Sequence, residues 1–200
     1  MFVLLSLACT TLCARLPTYK YFVIPDGYVE TDIKEEIVQN CYNFSVDLVK
    51  KFLDDFTGPQ PIVLLHAWNK KGDDGEYFAC EVMRMKLKYL LIVHIPNIEN
   101  AERKFLHSVR ILNEETPSGA HWFHPPSDVL EIVMKGINEK YGNDVQLRNV
   151  AVYKTVMNYH KYGQIVIDTT KGEERMLFNI KLIQKFGEKS FQISSIEQIY

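Results

Sequence analysis

The feature that most constrains this chain is a helical stripe followed at once by strand-like alternation. Ile33, Ile37, Cys41, Phe44, Leu48, Phe52 and Phe56 recur at spacings of three and four, which puts them on one face of an α-helix. Glu36, Gln39, Asn43, Asp47, Lys50 and Asp54 fall on the opposite face. Asp32 with Glu35 makes a capping pair, Thr31 competes as N-cap, and Thr57-Gly58-Pro59 ends the pattern. A helix with one apolar stripe needs a partner layer. The period then changes to two. Residues 62–68 are apolar, and within 77–95 Met83, Met85, Leu87, Tyr89, Leu91 and Val93 alternate with Arg84, Lys86 and Lys88. That is strand with one dry and one wet face. A bend near 80–83 would reconcile Cys80 and Val82 with the register. Residues 104–112 read as a further strand.

The same order then restarts. Residues 113–127 (NEETPSGAHWFHPPS) hold three Pro and one Gly and read as a connector. Ser127 and Asp128 can cap a second helix, with Glu131 three residues past Asp128. Val129, Ile132, Val133, Ile137 and Tyr141 line one face, and Gly142 suits its C-terminal end. Strands are predicted at 145–156, 164–169, 175–184 and 190–199. The expected fold class is therefore α+β: amphipathic helices packed on curved antiparallel β-sheet, the helix-then-meander pattern occurring twice. The expected units are 15–112 and 128–200, which have room either to stand apart or to form one domain.

The N-terminus constrains the compartment. Residues 1–14, MFVLLSLACTTLCA, carry no charged side chain. Their apolar run is far shorter than the roughly 20 residues that span a bilayer, and it fits a secretory signal peptide. The chain is expected to be extracellular. Cys9 and Cys13 would leave with the signal, and Cys41 and Cys80 remain as an even pair. A disulfide between them and two buried free thiols are both open readings. Residues 21–24, closed by Pro25-Asp26-Gly27, suggest a first strand. The net charge of -2 argues against a nucleic-acid binder that relies on an overall basic surface.

One helix cradled by a bent antiparallel meander is similar to the cystatin-like and NTF2-like folds, at the level of pattern. Either two cystatin-sized units or one NTF2-like cone fits the length. Protease-inhibiting cystatins present a Gln-x-Val-x-Gly hairpin as a wedge, with a Pro-Trp pair on a second hairpin. Here Gln164-Ile165-Val166-Ile167-Asp168 matches the first part but has Asp in place of Gly, and no Pro-Trp pair occurs. Those five residues therefore read as plain strand.

The sequence holds no Gly-x-Ser-x-Gly, His-Glu-x-x-His, Cys-x-x-Cys or phosphate-binding glycine loop. It calls for no catalytic residue, metal or cofactor. Tyr153, Tyr159, His160 and Tyr162 cluster around one predicted hairpin and form the candidate contact surface. The leading function is a secreted, non-enzymatic binding protein acting on a protein or small ligand through a concave sheet or hairpin tips. The alternatives are a cystatin-like protease inhibitor and a small enzyme or ligand carrier with an NTF2-like pocket.

Asn43-Phe44-Ser45 is the only Asn-x-Ser/Thr sequon. It lies on the polar face of the first helix, so a glycan there would displace no core. Secreted from a glycosylating host, the chain is expected to lose mass on treatment with an N-glycan-removing amidase. The Asn43→Gln variant should show no such loss. An unchanged wild-type mass would show that the sequon is unused.

Overall fold

The structure, a computed structural model, describes residues 24, 26–97, 103–112 and 124–200, together with the backbone of 120–122. The expected signal peptide, Cys9 and Cys13 lie outside the described residues, as does the predicted first strand apart from Ile24. In chain order the elements are β1 (Val29–Thr31), α1 (Glu36–Val49), a 3-10 turn (Asp54–Phe56), β2 (Ile62–Gly72), β3 (Gly75–Arg84), β4 (Leu87–Pro96), β5 (Phe105–Ile111), β6 (Ala120–Trp122), α2 (Ser127–Tyr141), β7 (Val145–Met157), β8 (Lys161–Lys171), β9 (Glu174–Gln184) and β10 (Gln192–Gln198). Two antiparallel five-stranded sheets, ordered β1-β2-β3-β4-β5 and β10-β9-β8-β7-β6, carry two helices. The architecture is mostly β with some helix.

The first helix starts later than its sequence pattern suggests. Thr31 is held extended because β1 pairs with β2, Thr31 opposite Ala67. The Asp32 carboxylate accepts from the Lys34 amide at 2.9 Å, closing a turn ahead of the helix rather than capping it. Ile37 is consequently exposed, and the buried face is Val38, Cys41, Ser45, Val46, Leu48 and Val49. The helix ends at Val49, so Phe52 enters the core from the turn that follows it and Phe56 from the 3-10 turn, instead of from a last helical face.

The long strand expected at 77–95 is a hairpin. Arg84 pairs with Leu87 across a two-residue turn, Met85-Lys86, and β3 and β4 stay in register from there to Gly75 opposite Pro96. The β3–β4 ladder passes 80–83 without a register shift, and the bulge at this level falls on the neighbouring strand, between Leu64 and His66 opposite Val82 and Glu81. Met85 takes a φ of 57°, the left-handed conformation that Gly or Asn usually supplies in a two-residue turn. Lacking either residue, the turn left no mark on the sequence. Nor does Arg84 sit on a wet face. It is buried and donates to the carbonyls of Asp55 and Thr57, satisfying the end of the 3-10 segment.

The second sheet is apolar on both faces. Toward α2 it presents Ile165, Ile167, Phe178 and Ile180, which pack under Val129, Val133 and Ile137. Toward α1 it presents Val152, Val166 and Leu177. These join Val49, Phe52, Leu53 and Phe56 and, from the first sheet, Leu91 and Leu106 in one cluster. Each such side chain contributes about 1.5–3 kcal/mol on burial. Two polar contacts fix the docking. Gln164 Nε2 donates to the Phe52 carbonyl at 2.6 Å and to Asn179 Oδ1 at 2.9 Å, and Lys154 Nζ lies 3.1 Å from Asp55 Oδ2.

The turn geometry yields a test. Met85→Gly removes the strain of a left-handed side chain but frees the unfolded chain. The net result should be a gain of ~0.5–1 kcal/mol, read from thermal or denaturant unfolding. A loss would mean that residue 85 is extended.

Candidate functional site

The candidate site is the pair of hairpin tips at one end of the second sheet. In the β7–β8 hairpin Met157 pairs with Lys161, and the Asn158 amide donates to the His160 carbonyl at 3.0 Å, closing a three-residue loop. In the β9–β10 connection the Glu188 amide donates to the Lys185 carbonyl at 3.0 Å. Gly187, with φ 85°, supplies the left-handed residue that this turn requires. The two tips are tied together. The Phe186 amide donates to His160 Nδ1 at 3.1 Å, and the Tyr159 and Phe186 rings stack at 5.9 Å with their planes 20° apart. His160 also meets Tyr159 and Tyr162 edge to face.

These aromatic rings face solvent. Tyr159 is 74% exposed, Phe186 79%, Met157 67% and Tyr162 46%. Apolar side chains this exposed, grouped and mutually fixed, form a patch of the kind that marks a contact surface. Burying them on a partner would cost little side-chain entropy, because the stacking and the amide–imidazole bond already restrict them.

Of the four residues expected here, three are at the tips. Tyr153 is not: it is 4% exposed, pairs with Ile165 and lies under α2. It is four residues from the tip along a strand whose side chains alternate between faces, and its own face is the core one. Phe186 and Met157 were missed. Phe186 beside Gly187 was legible, since an aromatic residue placed in a glycine turn has no core to enter.

The cystatin-type wedge residues lie elsewhere. Gln164 and Asp168 are 8% and 1% exposed in the middle of β8, so that segment is interior strand and presents nothing to a partner. Asn43 is exposed on α1. Cys41 and Cys80 are buried free thiols. Burial pushes Cys41 up to about 11; burial and then the proximity of Cys41 push Cys80 up to about 12. As buried thiols they are unreactive at neutral pH. Among the described residues no group of three or more His, Cys, Asp or Glu could hold a metal ion, and no helix is long and apolar enough to cross a membrane.

The second polar concentration is buried between the sheets. Arg175 on β9 clasps Asp168 on β8 through Nε at 2.8 Å and Nη2 at 2.5 Å. Its guanidinium lies 4.0 Å from the Phe105 ring centroid. Arg175 Nη1 is 3.0 Å from His94 Nδ1 on β4. A guanidinium only donates, so Nδ1 accepts and His94 is neutral with its proton on Nε2. That nitrogen donates to the Asp74 carbonyl at 3.2 Å, with the Asp74 carboxylate 3.6 Å away. Tyr77 stacks on the imidazole at 4.5 Å and meets His107 edge-on. Arg148 approaches Asp168 at 3.8 Å. Burial, then Arg175, lower the His94 pKa; burial, then His94 and Arg175, lower that of His107. Asp168, Arg175 and His94 are thus held to one another by hydrogen bonds.

No family model matches the chain, and no curated protein matches it. Among solved structures it is similar to that of the inhibitory complex of human meprin beta with mouse fetuin-B, at a TM-score of 0.35 and 9% identity over 88% of this chain and 74% of that chain. It is likewise similar to the crystal structure of mouse fetuin-B, at a TM-score of 0.33 and 12% identity over 86% of this chain and 70% of that chain. Likenesses this distant leave the site to be read from its own residues.

The two depressed histidines set a pH dependence. Their folded-state pKa values lie below the ordinary 6.5, so the unfolded chain takes up protons first as pH falls. Stability is therefore full above that value and is lost progressively below it. The melting temperature should drop between about pH 7.5 and 5.5, and His94→Gln should flatten the profile. An identical slope in that variant would remove His94 from the account.

Proposed function

We propose that the chain is a binding protein whose contact surface is the joined tips of the β7–β8 and β9–β10 hairpins. The observation that carries this reading is the stacked Tyr159–Phe186 pair, exposed at 74% and 79%. Aromatic anchors held rigid at a protein surface are the side chains from which interface hot spots are built. The partner fitted by this surface is a protein, because exposed, mutually stacked aromatic rings suit the broad apolar contact of an interface.

A second reading is protease inhibition. It is supported by the pairing of two hairpin tips at one sheet end, the arrangement that the cystatin resemblance implies, although neither cystatin wedge motif is present. The strand–helix–meander order in each half supports reading the chain as two cystatin-like units in tandem. The reading as an extracellular protein rests on residues 1–14. In such a compartment Asn43 would be open to glycosylation, and Cys41 and Cys80, free thiols in this structure, would be open to oxidation.

The test places a photo-crosslinking phenylalanine analogue at position 159 or 186, and at exposed Lys71 on β2 as control, in the secreted chain. Incubated in extracellular fluid, the two tip probes are expected to capture the same protein and the control to leave it uncaptured. Tyr159→Ser with Phe186→Ser should fail to compete for it, while changing stability by no more than about 0.5 kcal/mol. If the captured protein is a protease whose activity the wild-type chain blocks, the inhibitory reading holds. Capture from all positions alike, or from none, would overturn the tip surface.

A further inference from the structure

The aromatic pair at the hairpin tips is flanked by cations. Lys161 closes the β7–β8 hairpin, opposite Met157 on one side and Gln184 on the other. Its ammonium lies 5.3 Å from the Phe191 ring centroid. Lys185 directly precedes Phe186, and Lys189 follows on the far side of the same turn. Both are exposed. The two tips hold a single carboxylate, Glu188, whose Oε1 accepts from Gln192 Nε2 at 3.2 Å. They therefore carry three lysines against one glutamate, in a chain whose net charge is -2.

Two observations set these lysines apart from an ordinary solvated face. Several lysines elsewhere stand beside a carboxylate: Lys50 by Asp47, Lys71 by Glu76, Lys135 by Glu139 and Lys171 by Asp144, at 3.4 to 3.9 Å. Among the described residues Lys161, Lys185 and Lys189 have no such neighbour. Their charge is left uncompensated within the chain. The second observation is their position. They border rings that are exposed and already fixed, Tyr159 on Phe186 and Tyr162 against His160. An apolar centre with a polar rim is the anatomy of a protein interface. Uncompensated charges at such a rim act on a partner over a screening length of about 8 Å at physiological salt.

We propose that the tips dock a protein surface that is acidic around an apolar centre. The proposal rests on the tip-surface reading above and adds the charge of the partner to it. Tyr159, Tyr162 and Phe186 take the apolar centre, and Lys161, Lys185 and Lys189 meet carboxylates at its rim. Rim charges of this kind speed the encounter and fix its orientation more than they tighten the bound state. A basic surface of the same shape is turned away by like-charge repulsion.

The test uses two peptides as probes on the full chain, Glu-Trp-Leu-Glu-Trp-Leu-Glu and Lys-Trp-Leu-Lys-Trp-Leu-Lys, followed by backbone amide chemical shifts. The acidic peptide is expected to shift the amides of 157–162 and 184–190 and to bind about ten-fold more tightly than the basic one in low salt. That preference should fade as salt rises from about 20 mM to 500 mM. Lys185→Glu with Lys189→Glu, both at exposed positions, should abolish it while the amide shifts of the rest of the chain stay in place. Tyr159→Ser with Phe186→Ser should instead weaken both peptides alike. Equal binding of the two peptides at the tips, or a preference that survives the double lysine reversal, would overturn the charge assignment while leaving the apolar tip surface intact. Shifts confined to other parts of the chain would overturn both. Tips that respond to phosphatidylserine vesicles and to neither peptide would make the occupant a membrane and overturn the protein partner.

Discussion

The second sheet is apolar on both faces, and the rest of the structure depends on that. Ile165, Val166 and Ile167 run consecutively along β8 and are all buried, so side chains pointing in opposite directions both need cover. The helix α2 covers one side. The other side has no helix of its own, and it is covered by the end of α1, its 3-10 turn and the inner face of the first sheet. A strand buried on both faces is uninterrupted in hydrophobicity, whereas a half-exposed one alternates. Neither half of the chain could bury its apolar surface fully without the other.

The polar groups between the sheets follow from the same constraint. Joining two sheets by their interiors also buries backbone and side-chain groups where the surfaces meet imperfectly, and these must be paired. Gln164 pairs the free carbonyl at Phe52, where the helix has already ended. Arg84 pairs the carbonyls of Asp55 and Thr57. The Asp168–Arg175–His94–Asp74 chain plays the corresponding part at the other margin. A buried ion pair of this kind adds little net stability over an apolar pair. Its geometry, however, admits only one arrangement, because a guanidinium with a carboxylate on one side needs an acceptor on the other. Neutral His94 supplies that acceptor, which makes the junction sensitive to histidine protonation.

What the sequence disclosed, and what it hid, divides along the same physical lines. The strands of the second sheet and the helix above it were legible, because the 3.6-residue period of α2 and the glycine-marked turns at Gly142, Gly172 and Gly187 are local signals. The β3–β4 turn was hidden because Met85 adopts a conformation that sequence patterns assign to Gly or Asn. The start of α1 was misplaced because β1 pairs with β2, from about 40 residues away, and that pairing overrides a good capping pattern. Of the site, Tyr159, His160 and Tyr162 were legible as a polar-aromatic turn. Tyr153 was not separable from them, because what removes it from the surface is the cover of α2, a tertiary contact that no local signal announces.

The hairpin tips and the seam between the two sheets are held together by different means. The hairpin tips are rigid and aromatic, joined by an amide–imidazole bond, and suit a partner that meets them as a preformed edge. At the seam, β5 and β7 share no ladder among the described residues and are joined by side chains, Asn149 donating to the His107 carbonyl. Strand β7 is common to both regions: its far end carries Met157 and its near end runs along the seam. Its ladder to β8 is continuous from Val152 to Met157 and broken by bulges at Leu147–Asn149 and Val150–Val152. The aromatic edge thus rests on unbroken backbone pairing, whereas the seam between the sheets rests on side-chain contacts beside an interrupted ladder.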